Sequence, residues 1–235
     1  MANNNQSVKV AVDMSFLQLI WSAWFMSFVF TAYLILQRVV DNERVNEQSF
    51  LTFIYGPSKI YMLVIGIISV YAFLTFYVKN GVTRRDYFKG AAVSSVVVSL
   101  VLMTIAGIIA AIEQVIDPDI VTSSFVGPDA SLLVTVLAFS INILASYTAG
   151  WLIGAGFYRF GGMGGMLYIF ASILILSLLD FLWESELKEP LKFLLDISHH
   201  HGFSATTSFI LTAGLLAVTL WIIKSTTKRV QIKLK

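Results

Sequence analysis

Six long apolar stretches, parted by short charged segments, leave this 235-residue chain few ways to fold. At about 20 apolar residues per crossing they read as spans over 14–36, 59–78, 91–112, 130–153, 166–183 and 205–223. The hydrocarbon core holds no water to satisfy stray amides, so continuous apolar runs of this length must be helical. The reading is an all-α membrane protein with six transmembrane helices, organised as one domain over 1–235.

The charges are sorted by side. With both termini cytoplasmic, the inner side carries Lys9, Lys79, Arg84, Arg85, Lys89, Arg159, Lys224, Lys228, Arg229, Lys233 and Lys235. The outer side keeps Arg38, Arg44, Lys59, Lys188 and Lys192. Eleven basic residues against five is the bias that sets orientation in membrane proteins. A chain that is 57% apolar and 13% charged lies well outside soluble composition, where about a quarter of residues are charged. No basic stripe interleaved with aromatics suggests nucleic acid, and inner Lys and Arg suit anionic lipid head groups. There is no cysteine, hence no disulfide, thiol nucleophile or thiolate metal site. The first span exceeds a signal h-region and is followed by no small-residue cleavage site, so it is read as a retained helix.

The residues argue against catalysis. Two apposed carboxylates would be needed for an intramembrane aspartyl protease, and Asp180 alone falls within a span. A serine hydrolase needs a His beside its nucleophile; the three histidines, His199, His200 and His201, sit together in an outer loop, and there is no G-x-S-x-G. Adjacent residues rarely aim three rings at one ion, so this run reads as a solvated loop in preference to a metal site. The Gly-rich run GAGFYRFGGMGG (154–165) lacks the G-K-[ST] of a phosphate loop and reads as a tight turn with Arg159 as an inside anchor. Asp180 is expensive in a span and is a candidate for a substrate path or gate, as, separately, is Asn142. Asn142 and Gln18 also suit interhelical hydrogen bonds.

Between spans two and three the sequence is more specific. Asn80-Gly81 ends one helix, and Gly56-Pro57 marks a turn before the second span. Thr83 with Asp86 forms a capping box for a new helical turn. Tyr87 and Phe88 follow in a basic, water-facing segment. Thr83, Arg84, Arg85, Asp86, Tyr87, Phe88 and Lys89 then suit docking into a cytoplasmic partner, with the two aromatics as anchors and the cations as orienting charges. Residues 1–13 fit either a short interfacial segment or an extended stretch.

The run YVKNGVTRRDYFKGA (77–91), the inner loop FYRFGGMGG (157–165) and the amphipathic stretch 184–204 together resemble bacterial type 2 ABC exporter permeases. The resemblance implies a short coupling helix between spans two and three and a re-entrant outer segment before span six. It also implies a second permease subunit, identical or related, and two cytoplasmic ABC ATPase subunits that carry the ATP and Mg. The chain itself would hold no cofactor and catalyse nothing. Its place would be the bacterial plasma membrane, and its cargo hydrophobic or amphipathic: a peptide, an antibiotic or a lipid. The N-terminal segment is short for the family's interfacial elbow helix. The alternative is a membrane sensor, assembly factor or immunity protein that moves no substrate.

Overall fold

The structure, a computed structural model, describes residues 3–39, 48–118, 120, 122, 126, 130–184 and 204–228. It is helical throughout its long elements. These are α1 (Asn3–Val39), α2 (Phe50–Ile68), a π-helical turn (Ser69–Leu74), α3 (Thr75–Lys79), α4 (Arg84–Ile116), α5 (Leu132–Glu184) and α6 (Ala205–Thr227). Among the described residues, five helical segments are long and apolar enough to cross a membrane, with α2, the π turn and α3 forming one of them.

The longest, α5, has 53 residues and would extend about 80 Å at 1.5 Å per residue if it were straight. It is not straight. Gly161 has φ 72° and ψ −159°, a backbone conformation open to glycine and costly for any residue with a Cβ. There the chain turns back, and the Ser172 hydroxyl donates to the Ala149 carbonyl across the hairpin at 3.0 Å. The arms touch tightly: a Cβ on Gly156 would lie 2.3 Å from the Tyr168 ring. The Gly-rich inner loop expected over 154–165 is therefore mostly helix, with the reversal confined to Gly161.

The first arm, 132–160, is the centre of the bundle, and residues 145–152 are all buried. It packs on α2 with almost no side-chain spacer. A Cβ on Gly150 would stand 1.9 Å from the Leu63 carbonyl oxygen, and one on Gly66 would stand 2.1 Å from that of Tyr147. Gly150 and Gly154 are spaced as a small-xxx-small pair, which lets membrane helices approach backbone to backbone. Large apolar side chains point outward instead, among them Trp24, Phe28, Phe170 and Trp221, as a lipid-facing surface requires.

Three boundaries differ from expectation. The first helix begins at Asn3 and runs unbroken to Val39, so 3–13 is neither a separate interfacial segment nor an extended one. The second begins at Phe50 with Pro57 inside it, nine residues before the expected start. Gly56-Pro57 is thus no turn; the proline forfeits one backbone hydrogen bond, a loss that packed membrane helices absorb. Residues 84–89 are the first turns of the 33-residue α4, not a free-standing coupling helix. The stretch 185–203, where the re-entrant segment was expected, lies outside the described residues, as do His199, His200 and His201.

Candidate functional site

The turn from α3 into α4 is built by local chemistry. Val82 N–H donates to the Tyr77 carbonyl at 3.0 Å and Gly81 N–H to that of Val78 at 3.1 Å. This bond pair is a Schellman cap, and Gly81 supplies the positive φ it requires, 82°. One residue later Thr83 caps α4: its Oγ1 accepts from Asp86 N–H at 3.1 Å and donates to Asp86 Oδ2 at 2.6 Å. Helix end and helix start are thus separated by only Asn80–Thr83, a rigid corner.

The phase of α4 then decides which residues face out. Asp86, Tyr87, Gly90, Ala91 and Ser94 are buried, while Arg85, Lys89 and Val93 are exposed. Tyr87 is 1% exposed. Its hydroxyl donates to the Ser69 carbonyl at 2.7 Å, at the start of the π turn, and its ring meets Trp151 edge-on at 6.3 Å. Tyr87 therefore cannot be the docking anchor expected of it. It points inward because residues 87, 91, 94 and 98 make one apolar and small-residue stripe at helical spacing, and that stripe faces the bundle. Asp86 is likewise turned in, engaged with Thr83. Phe88 is half-buried, with its ring 5.3 Å from that of Trp151. Of the expected partner-binding set, Arg85 and Lys89 are exposed and make no ion pair among the described residues, with Arg84 and Phe88 at their edge.

Arg84 joins this corner to the end of α6. Its Nη1 donates to the Lys228 carbonyl at 3.1 Å. Arg159, two residues before the Gly161 reversal, donates to the carbonyls of Ser225 and Thr226 at 3.1 and 2.9 Å. Guanidinium groups at carbonyls of a last helical turn complement the helix dipole. They also tie three chain reversals and ends into one unit. Beside it lies a cavity of about 340 Å³ lined by Arg84, Arg85, Phe88, Lys224, Thr227 and Lys228. The grouping of Lys224 and Lys228 with Arg84 was missed in the sequence; the sorting of cations by side was its only signal.

At the opposite end Asp180 is paired. Lys59 Nζ lies 2.7 Å from Asp180 Oδ1, and the two side chains are 20% and 13% exposed. Because α2 starts early, Lys59 sits within a helix and not at its mouth, and it meets the second arm of α5. An intramembrane carboxylate normally has such a partner. Asn142 is 1% exposed and donates to the Ala138 carbonyl of its own helix at 2.8 Å, while its Oδ1 has no hydrogen-bond partner among the described residues. The structure does not bring Asn142 to Asp180 through any bond. Gln18 makes the interhelical bonds anticipated for it: it donates to the Tyr147 hydroxyl at 3.0 Å and accepts from Ser94 at 3.2 Å, joining α1, α4 and α5. Among the described residues, no group of three His, Cys, Asp or Glu could hold a metal.

Against this geometry the comparisons with known proteins are silent: no protein-family model, curated protein or solved structure matches the chain.

Proposed function

We propose that this chain is the membrane-spanning, non-catalytic subunit of an ATP-driven exporter in a bacterial plasma membrane. In this reading it crosses six times with both ends cytoplasmic, and pairs with a second permease subunit above two ABC ATPases that hold ATP and Mg. The hairpin at Gly161 supports the count, because its arms, 132–160 and 162–184, would extend roughly 44 and 35 Å, each enough for a bilayer core of about 30 Å. The cargo would be hydrophobic or amphipathic, since the polar groups buried between the helices are mostly Ser and Thr, many with hydroxyls spent on carbonyls of their own helix.

The observation that carries the reading is the linkage at the basic end. Arg84 and Arg159 bind the last carbonyls of α6, so a push on the α3–α4 corner reaches α4, α5 and α6 together. Tyr87 is the root of this lever and not its tip: its bond to Ser69 carries displacement into the π turn. Arg85, Lys89 and the edge of Phe88 are the surface left for a partner.

A second reading, a membrane sensor, assembly or immunity protein that transports nothing, is favoured by the burial of Tyr87, which removes one of two expected docking anchors. Purification of the tagged chain from its native membranes after mild cross-linking decides between them. The exporter reading expects an ATPase with a Walker A motif at stoichiometric yield, released by R85E/K89E at exposed positions that leave the fold intact. Recovery of the folded chain without such an ATPase, or undiminished recovery with the double variant, refutes it.

A further inference from the structure

Two hollows meet at Phe88. One is the basic cavity described above, about 340 Å³, on the order of ten waters at ~30 Å³ each. The other is a groove of about 520 Å³ between α1 and α4, lined by Ser7, Val8, Ala11, Val12, Phe88, Lys89, Ala92 and Val93. Phe88 lines both. Arg85, Phe88, Lys89 and Ala92 stand at i, i+3, i+4 and i+7, one stripe of a helix. The hollows thus flank this stripe and share Phe88, the charged one against α6 and the apolar one against α1.

The charged hollow is shaped for an anion. Four cations line it, none of its described lining residues is acidic, and among the described residues none of the four meets a carboxylate within 4 Å. The last carbonyls of α6 would repel an anion there, but Arg159 and Arg84 already occupy those of Ser225, Thr226 and Lys228. That leaves Arg85, Lys224 and Lys228 with side chains exposed. A free inorganic anion would use only this half. The apolar groove beside it adds what an acyl chain needs, with Val8 56% and Val12 61% exposed along it.

The geometry points to a specific site for an anionic phospholipid, its phosphate among Arg85, Lys224 and Lys228 and an acyl chain along the groove past Phe88. Basic hollows between membrane helices on the cytoplasmic side suit such head groups. The site requires only that this end lie at the inner leaflet, and its test uses the isolated chain, so it fails or stands separately from the exporter reading.

The test is native mass spectrometry and thermal shift on the full chain in detergent, with phosphatidylglycerol, phosphatidylcholine or inorganic phosphate added. Phosphatidylglycerol should be retained in one-to-one complex and raise the melting temperature, while phosphatidylcholine and phosphate do neither. K224Q/K228Q should weaken phosphatidylglycerol binding by about tenfold or more, and V8S/V12S should weaken it without altering head-group selectivity. All four positions are exposed, so the lipid-free variants should melt as the parent does. Equal retention of phosphatidylcholine, or unchanged phosphatidylglycerol binding by the folded K224Q/K228Q variant, overturns the site. Protection by inorganic phosphate equal to that by phosphatidylglycerol reduces it to a plain anion pocket and overturns the lipid assignment.

Discussion

Removal of one member of the Lys59–Asp180 pair should damage this protein more than removal of both. At 2.7 Å and an effective dielectric of about 20, the pair attracts by about 6 kcal/mol. Desolvating the two ions takes back several kcal/mol each, so the net contribution of the intact pair is near zero. Breaking it is another matter. With side chains 20% and 13% exposed, Lys59 recovers little hydration when Asp180 is deleted, whereas Asp180 keeps a further contact when Lys59 is deleted. Asp180→Leu alone should cost about 3–5 kcal/mol, and Lys59→Met alone less. The double variant K59M/D180L should fall within about 1 kcal/mol of the parent, because an apolar pair of similar volume needs no hydration. The assay is reversible unfolding in mixed micelles by denaturing detergent, read by tryptophan fluorescence for all four proteins. Additive single costs, or an Asp180→Leu cost below about 1 kcal/mol, would refute the reasoning and mean that water reaches the pair. If transport is measurable, a stable K59M/D180L that still transports would also remove Asp180 from any gate.

Other outcomes follow from the same geometry. Gly150→Ala places a Cβ 1.9 Å from the Leu63 carbonyl oxygen and should destabilise by at least about 1–3 kcal/mol. Its control, Gly214→Ala in α6, meets nothing within 4 Å and should gain up to about 1 kcal/mol from helix propensity; melting temperatures check both. Gln18→Leu strands the Ser94 hydroxyl and leaves the Tyr147 hydroxyl with Ser69 alone, and should cost about 1–3 kcal/mol, whereas Ser94→Ala, which removes one 3.2 Å bond, should cost about 1 kcal/mol. Asn142→Leu removes a buried oxygen that lacks a partner among the described residues and should leave the melting temperature unchanged or higher; loss of transport by that stable variant would identify a functional amide.

The apolar runs marked where helices lie because hydrocarbon solvation depends on composition alone, and local caps were legible for the same reason. Thr83, Asp86 and Gly81 act within a few residues of each other: Gly81 takes the positive φ and Thr83 caps Asp86 N–H as expected, while Asp86 accepts from the Thr83 hydroxyl and faces inward instead of toward a partner. The helix starts at Asn3 and Phe50 were not legible, since polar Asn and a Gly-Pro pair are punctuation only where no neighbouring helix holds the backbone. The orientation of Tyr87 was written in the spacing of Gly90, Ala91, Ser94 and Ser95, but a basic neighbourhood suggested water, and packing prevailed over the local charge. Lys59 and Asp180 meet across 121 residues, as do Gln18 and Tyr147 across 129; nothing in a single sequence pairs such positions. The basic cavity was half visible, its cations sorted to one side but their convergence set by how α4 starts where α6 ends.

The π turn at Ser69–Leu74 has a consequence for how this helix tolerates change in length. Such a turn accommodates a surplus residue, so deletion of one residue there would relax it to ordinary α geometry and leave both flanks in phase. The same deletion anywhere between Phe50 and Ile67 would rotate one flank by about 100° and swing Gly66 or Lys59 off its partner. Homologues with a shortened second crossing should therefore carry the gap within 69–74, together with a residue other than tyrosine at the position of Tyr87.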